Sequence, residues 1–415
     1  MQAQTPGEKD NRHEGTISRR LFLEMSGSTA TLLAAGGLLT QAGRAYPAET
    51  GKRIRMGVVG GGFGASFHWH EHPNCAVTGV TDLIPARREV LKNNYKCDAV
   101  YDSLEEMIKR AKDIDAVAVF SGAPDHAKHV KMCMDRGWHV VCAVPACFSI
   151  EEAEMLKEVK EKTGLTYMMA ESSYYRQECI FARNLHKAGG FGELFYSEVE
   201  YYHGFEGPPS LLEQKGTLLV DADGKRTWRW GLAPMLYPTH SLGYLVGVTG
   251  ERIVKVSCLG WGNPDSPVLK DNRYKNPFFN EFASMLTDKG HMCRCNVFWD
   301  IKAGDERASW FGEKASLYMP AYGLHGPVQL PGGKVQIPEY WKSDMLPEEM
   351  RHDSGHGGSA VFISAEFVNA LLESREPACH LYDALAMTVP GIVAHQSALK
   401  GGEQLKVPQF EKPKT

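Results

Sequence analysis

Tyr237-Pro238-Thr239-His240 sets a phenol and an imidazole within one helical turn or a short loop of each other. An imidazole titrates near working pH and can take or give a proton, which makes His240 a candidate for acid–base work. Tyr237 can hydrogen-bond a hydroxyl or share its proton, and Tyr175, beside Tyr174, can steady developing oxyanion charge. Packing alone also accounts for each: a histidine beside a proline often braces a loop, and a buried tyrosine needs only a partner for its hydroxyl. Arg176 and Arg307 read either as donors to a polyol or as solvated charges. Trp228, Trp230, Trp261 and Tyr322 offer flat rings to a sugar face, or to a core.

Metal chemistry is not expected. His352 and His356 stand four apart with Asp353 between, but the glycines that follow argue for a loop rather than a ligating helix. His68, His70 and His72 alternate, which scatters them around a helix. Cys293-Arg294-Cys295 has no second pair at zinc-ribbon spacing.

A second chemical feature lies near the N-terminus. Gly60-Gly61-Gly62-Phe63-Gly64-Ala65 follows the short apolar run Ile54–Val59. Gly60 permits a tight turn, Gly62 lets backbone approach a pyrophosphate, and Ala65 allows a helix to pack closely on the strand. Asp82 ends the next apolar run, 22 residues after Gly60 (82 − 60), where a carboxylate accepts from ribose hydroxyls. This predicts NAD, with Gly60, Gly62, Phe63, Gly64 and Asp82 holding it. Arg87 and Arg88 nearby keep NADP open.

These groups need a scaffold. From Arg53 to about Tyr167 apolar strands alternate with helices, two of them opening on the capping boxes Ser103-Leu104-Glu105-Glu106 and Ser149-Ile150-Glu151-Glu152. Alternation predicts a doubly wound parallel sheet. Strands then follow one another without long helices: Leu194–His203, Arg252–Trp261, Cys293–Trp299 and Ala315–Met319. An amphipathic helix after Gly358 (Val361, Ala365, Val368, Leu372) and another over Asp383–Leu399 close the chain. The predicted fold class is α/β: an N-terminal Rossmann domain plus a C-terminal α+β domain with an open, mostly antiparallel sheet. Residues 53–170 form the first, 171–400 the second, and 401–415 a tail. Pro264–Asn280 and Pro320–Pro347 read as long loops over the site.

Residues 1–48 read as an export signal. Ser18-Arg19-Arg20-Leu21-Phe22-Leu23-Glu24 is a twin-arginine motif, Thr29–Leu39 a modest apolar stretch, and Gly43 to Ala48 a cleavage region. The stretch is too short to span a bilayer and no cysteine stands near its end to take a lipid, so no stable membrane anchor is expected. The expected partner is the twin-arginine export machinery and the expected location the periplasm. That route carries folded proteins, so the cofactor would travel bound; with no soluble nicotinamide pool outside, the hydride should return in each cycle. Of the ten cysteines, Cys97, Cys142, Cys147 and Cys258 sit among apolar residues and read as small buried hydrophobes. A net charge of -4 argues against nucleic acid as a partner.

A Rossmann pattern, an early Pro124-Asp125-His126 turn and an open-sheet second half resemble the Gfo/Idh/MocA oxidoreductases. The resemblance adds Pro124 and His126 to the cofactor site and implies a homo-oligomer paired through the open sheet. Most members carry Glu-Lys-Pro where this chain reads Ala143-Val144-Pro145, so the usual proton-handling lysine is Val144. One branch also lacking that lysine, glycoside hydrolase family 109, is similar at Met168-Met169-Ala170-Glu171 with Tyr175, at Phe191-Gly192-Glu193, at Tyr237-Pro238-Thr239-His240 and at Gly355-His356-Gly357-Gly358. It implies NAD-dependent cleavage of a glycoside: oxidation at carbon 3, elimination, hydration and re-reduction, with Tyr237, His240 and Tyr175 at the sugar. That branch has glutamate where Ala143 stands. The alternatives are a periplasmic sugar oxidoreductase making a keto-sugar, and a non-catalytic relative that keeps its cofactor.

Overall fold

The computed structural model describes residues 51–204, 214–301, 304–320, 328–330, 333–335 and 337–413. The twin-arginine segment, its apolar stretch, the cleavage region and Tyr322 lie outside the described residues.

Six short strands form the first sheet: β1 (Ile54–Val59), β2 (Cys75–Thr81), β3 (Val100–Tyr101), β4 (Ala116–Val119), β5 (His139–Cys142) and β6 (Tyr167–Met169). Their order is β3-β2-β1-β4-β5-β6 and every pairing is parallel, the doubly wound arrangement expected. All of β4 and nearly all of β1 and β5 are buried, which is why these strands read as unbroken apolar runs rather than alternations. Helices α1 (Pro85–Tyr95), α2 (Leu104–Arg110), α3 (His126–Asp135) and α4 (Ile150–Thr163) connect them. The two capping serines act as predicted: Ser103 Oγ accepts from Glu106 N at 3.3 Å and Ser149 Oγ from Glu152 N at 3.2 Å.

One connection departs from expectation. No α-helix follows the glycine turn; two 3-10 turns, Gly64–Ser66 and Trp69–Glu71, take its place. Phe67 and Trp69 are both buried and their rings stack, Phe67 also lying on Phe120 at 4.4 Å. Side chains two apart lie on different faces of a helix, and the 3-10 turns let both rings turn inward onto the same core. Close packing against β1 consequently falls to Gly64 rather than Ala65: a Cβ there would stand 3.1 Å from both Val58 and Phe120 side-chain carbons.

The second sheet has nine strands. They are β7 (Leu194–Tyr202), β8 (Ile253–Trp261), β9 (Asn280–Thr287), β10 (Met292–Phe298), β11 (Glu306–Gly312), β12 (Ser316–Tyr318), β13 (Val328–Leu330), β14 (Gly333–Val335) and β15 (Leu405–Lys406). The order is β14-β13-β12-β11-β7-β10-β9-β8-β15. All pairings are antiparallel except β7 with β10. The predicted tail therefore supplies an edge strand. Cys293 and Cys295 both point to the buried face of β10, and all ten cysteines are free and buried.

Helices α5 (Gln177–Lys187), α6 (Thr239–Thr249), the short α7 (Pro267–Lys270), α8 (Gly355–Leu372) and α9 (Leu381–Leu399) complete the structure. The helix after Gly358 is not amphipathic: from Gly358 to Leu371 only Glu366 escapes burial. It is apolar all round because it is enclosed. Among the described residues no helix is long and apolar enough to cross a membrane.

Candidate active site

The C-terminal ends of β1, β4, β5 and β6 face the start of α6 and strands β7 and β11 across a cavity of about 910 Å³. Its floor on the Rossmann side is Phe63, Phe120, Ser121, Ala123, Ala143, Val144 and Ala170. Its other wall carries Arg176, Tyr201, Trp228, Arg229, Tyr237, His240, Glu306 and His356.

The glycine turn fits a dinucleotide. Gly60 has φ +99°, and a Cβ there would lie 2.1 Å from the Phe120 carbonyl oxygen, so only glycine is tolerated. A Cβ on Gly62 would meet only the Arg87 side chain, at 3.6 Å, leaving open backbone beside a guanidinium. Asp82 Oδ2 accepts from Gly61 N at 2.7 Å and Oδ1 from Ile84 N at 2.8 Å, which aims the carboxylate at the turn. Arg88 is held on the Asp82 carbonyl and the Asp102 carboxylate, whereas Arg87 stays beside Gly62. Phe63 packs edge-on to Phe120 at 5.5 Å and to His356 at 5.3 Å, joining the turn to the opposite wall.

Pro124 opens the turn before α3 but does not line the cavity. His126 reaches the wall, yet both ring nitrogens meet carbonyl oxygens, Nδ1 that of Pro145 at 2.8 Å and Nε2 that of Ser121 at 3.0 Å. Burial holds its imidazole below the usual range. It therefore braces the loops after β4 and β5. Ala143 and Val144 line the cavity, so an aliphatic side chain occupies the place of the resemblance's lysine, and no lysine lines the cavity among the described residues.

The acid–base group is a buried pair. His240 sits in the first turn of α6, and its Nδ1 is 2.8 Å from Glu171 Oε1 at the end of β6. The same oxygen accepts from Ser173 N and Ser173 Oγ, each at 2.8 Å. Glu171 is fully buried and His240 nearly so. Burial alone would push the imidazole down; the adjacent carboxylate overrides it and holds His240 above its ordinary value. Burial likewise works against ionised Glu171, but His240 keeps it below the usual carboxylate range. With Nδ1 engaged, Nε2 is the nitrogen left to a substrate.

Tyr237 closes the 3-10 turn before α6, and its ring lies 5.5 Å from the His240 ring. Trp228 stacks on it at 6.1 Å, and the Arg229 guanidinium lies 4.3 Å from the Trp228 ring and 5.3 Å from that of Tyr237. Burial, opposed by Arg229, raises its hydroxyl pKa, so Tyr237 is a phenol that donates. Behind His240, Arg176 pairs with Glu306 at 3.1 Å and Tyr244 donates to the same carboxylate at 3.1 Å.

The structure unites Tyr237 and His240 but not Tyr175. That residue belongs to a 3-10 turn, Ser173–Tyr175, which directs its ring onto Phe362, parallel at 6.1 Å. Neither it nor Tyr174 lines the cavity. Tyr201, from the end of β7, takes that place with its ring 4.7 Å from His240. Of the sugar-stacking candidates, Trp228 lines the cavity, Trp230 is buried with its indole N–H on the Asp271 carbonyl, and Trp261 is exposed on the sheet. Arg307 pairs with Glu200 rather than entering the site. Tyr201, Arg229 and Glu306 lie in no local motif, and the Met168-Met169-Ala170-Glu171 motif contains Glu171 without assigning it a role. His356, in the Gly-His-Gly-Gly segment, adopts φ 58°, ψ 46°, a left-handed conformation uncommon for histidine.

Such a sheet, with its ligand turn at the strand ends and an acid–base pair facing it, defines an NAD-binding enzyme of the oxidoreductase type. Residues 54–171 match the oxidoreductase family model described as an NAD-binding Rossmann fold, and residues 340–415 the C-terminal domain of glycosyl hydrolase 109. The chain thus resembles the Gfo/Idh/MocA oxidoreductases through its first domain and glycoside hydrolase family 109 through its C-terminal residues. It is 24% identical to a glycosyl hydrolase family 109 protein of Solibacter usitatus, covering 87% of this chain and 89% of that one. It is 26% identical to a family 109 protein of Shewanella sp. strain ANA-3, covering 95% and 96%. Levoglucosan dehydrogenase in complex with NADH and L-sorbose shares the fold with a TM-score of 0.70 at 14% identity, over 86% of this chain and all of that one. Scyllo-inositol dehydrogenase from Lactobacillus casei, with NAD(H) and scyllo-inositol, gives 0.65 at 19%, over 86% and 99%.

Proposed function

We propose that this enzyme cleaves a glycoside without net redox change, and that it does so after export by the twin-arginine route. The observation that carries the chemistry is the replacement of the expected lysine by Val144 in a cavity whose proton-handling groups are His240, backed by Glu171, and Tyr237. A carbohydrate substrate is supported by the names of the relatives, by the ligands of the two structural neighbours, and by Trp228 and Tyr237 as stacking surfaces.

When bound, NAD would be held by Gly60, Gly62, Phe63, Gly64 and Asp82 and would supply a hydride acceptor that later gives the hydride back. The chain's residues handle protons. Tyr237 hydrogen-bonds the carbon-3 hydroxyl, whose proton passes to cavity water as the ketone forms and returns when the hydride does, while Trp228 holds the ring face. Beside a carbon-3 ketone the carbon-2 proton is acidic, because the electron pair left behind spreads onto the ketone oxygen. His240 Nε2 takes that proton, Glu171 steadying the imidazolium, and the carbon-1 substituent departs with its bonding pair. Water then adds at carbon 1 and a proton returns to carbon 2.

Export rests on Arg19-Arg20 and its context, and would place the enzyme in the periplasm with its cofactor already bound. A homo-oligomer is supported by exposed apolar side chains on the second sheet, among them Phe195, Leu259, Trp261, Phe282 and Met292.

The test is a nitrophenyl glycoside panel in heavy water, with protein purified without added cofactor. Deuterium at carbon 2 of the released sugar is expected, with no accumulation of reduced cofactor. His240→Ala should keep NAD and lose the exchange. Unchanged exchange in that variant eliminates His240 as the base; a keto-sugar accumulating with a paired acceptor replaces the proposal with sugar oxidoreduction.

A further inference from the structure

The two 3-10 turns that replace the first Rossmann helix present His68 and Glu71 to a distant segment. His68 Nδ1 lies 2.9 Å from Glu71 Oε1, and His352 Nε2 lies 2.7 Å from Glu71 Oε2. The two imidazole rings are 4.8 Å apart, and one ligand atom from each of the three residues falls within 4.8 Å of the others. All three side chains are partly exposed, so the cluster is open to solvent on one side.

The hydrogen bonding of His352 is informative. Its Nδ1 faces the Asp353 carbonyl oxygen at 3.2 Å. In the tautomer whose Nδ1 donates to that carbonyl, Nε2 presents a lone pair to the Glu71 carboxylate at 2.7 Å, an arrangement that a metal ion between the two satisfies. A backbone carbonyl behind the non-ligating nitrogen is also the usual support of a metal-bound histidine.

We propose that His68, Glu71 and His352 bind a divalent transition-metal ion of the zinc class, with a fourth position left to water. Two imidazoles and a carboxylate suit that class, not calcium or magnesium, which take oxygen ligands. Ligands about 2.0–2.2 Å from a tetrahedral ion stand roughly 3.3 Å from one another, a small rotation away from the separations present. His70 Nε2 lies 4.0 Å from Glu71 Oε1. The ion ties the turn after β1 to the segment that, four residues beyond His352, places His356 in the cavity wall. Its role is a clamp across the two halves of the active site. Sequence spacing concealed it because His352 lies 281 residues from Glu71.

The experiment strips the full chain with chelator, titrates Co2+ and records the visible spectrum alongside thermal unfolding. Saturable uptake of one equivalent is expected, with visible ligand-field bands of a tetrahedral nitrogen–oxygen site and a higher Tm. His352→Ala should abolish the bands while retaining NAD, and Glu71→Gln, which keeps a hydrogen-bonding side chain, should do the same. Absence of saturable binding, or a spectrum unchanged in both variants, overturns the proposal and leaves a proton bridging the pair. Intense thiolate charge-transfer bands would also overturn it, because they would place the metal on cysteine.

Discussion

Removing the charge on Glu171 should make His240 matter much less for stability. Glu171 is fully enclosed, and its Oε1 accepts from His240 Nδ1, Ser173 N and Ser173 Oγ, each at 2.8 Å. His240→Ala leaves an ionised carboxylate with only the Ser173 donors, and breaking a buried pair in this way costs about 3–5 kcal/mol. The lower end is expected, because water from the adjoining cavity can enter the vacated space. At roughly 2 °C per kcal/mol this is a fall in Tm of about 6 °C or more. Glu171→Gln retains shape and the accepting oxygen, and should cost about 1 kcal/mol. His240→Ala added to Glu171→Gln should then cost only about 1–2 kcal/mol more, a coupling of about 1–2 kcal/mol. The pair's pH dependence has a defined sign. Because His240 is raised, its contribution is complete below the ordinary imidazole value of 6.5 and is lost as pH rises through the raised value. Because Glu171 is lowered, its contribution is complete above 4.5 and is lost as pH falls through the lowered value. The stability gap between wild type and Glu171→Gln should therefore be widest between those two values. Thermal unfolding of the four proteins across that range is the assay. Equal cost of His240→Ala in both backgrounds would refute an ionised Glu171 against His240.

Gly60→Ala should remove bound nicotinamide and lower Tm, since a Cβ would stand 2.1 Å from the Phe120 carbonyl at φ +99°; cofactor content of the purified variant measures it. Asp82→Asn keeps an acceptor for Gly61 N but loses the charge that repels a ribose phosphate, so the ratio of NADP to NAD affinity should rise about tenfold, read by fluorescence titration. Trp228→Ala should raise KM for the sugar about tenfold while leaving NAD affinity unchanged, because it removes a stacking face worth roughly 1–1.5 kcal/mol.

Much of the architecture was legible because burial on both faces leaves a plain apolar signature. The runs at Ile54–Val59 and Trp138–Val144 could be little else, and Ser103 and Ser149 announced their helices by capping spacing. Strand β9, Asn280–Thr287, was harder, since its buried side chains alternate with exposed or half-buried ones and the residues before it read as loop. The helix expected after Gly64 gave way to 3-10 turns that bury two aromatic rings a helix would place on different faces. In the site, Tyr237 and His240 are neighbours in sequence and were found together. Glu171 stands 69 residues from His240, and Tyr201 is distinguished from its neighbours only by where β7 ends. A Tyr-Tyr pair gives no indication of which ring turns inward; the 3-10 turn at Ser173–Tyr175 turns both away from the cavity.

The outer edge of the parallel sheet is not left bare. Met169 N donates to the Cys379 carbonyl at 2.9 Å, and Met168 bridges His380 in antiparallel fashion. A nascent chain emerging from the ribosome therefore cannot finish its nucleotide-binding layer until more than two hundred further residues have been synthesised. Until then β6 offers an unpaired, apolar border to any other strand nearby, a hazard that favours chaperone attendance during synthesis. Polypeptides terminated before Cys379 should therefore aggregate, although every residue of the glycine turn is present.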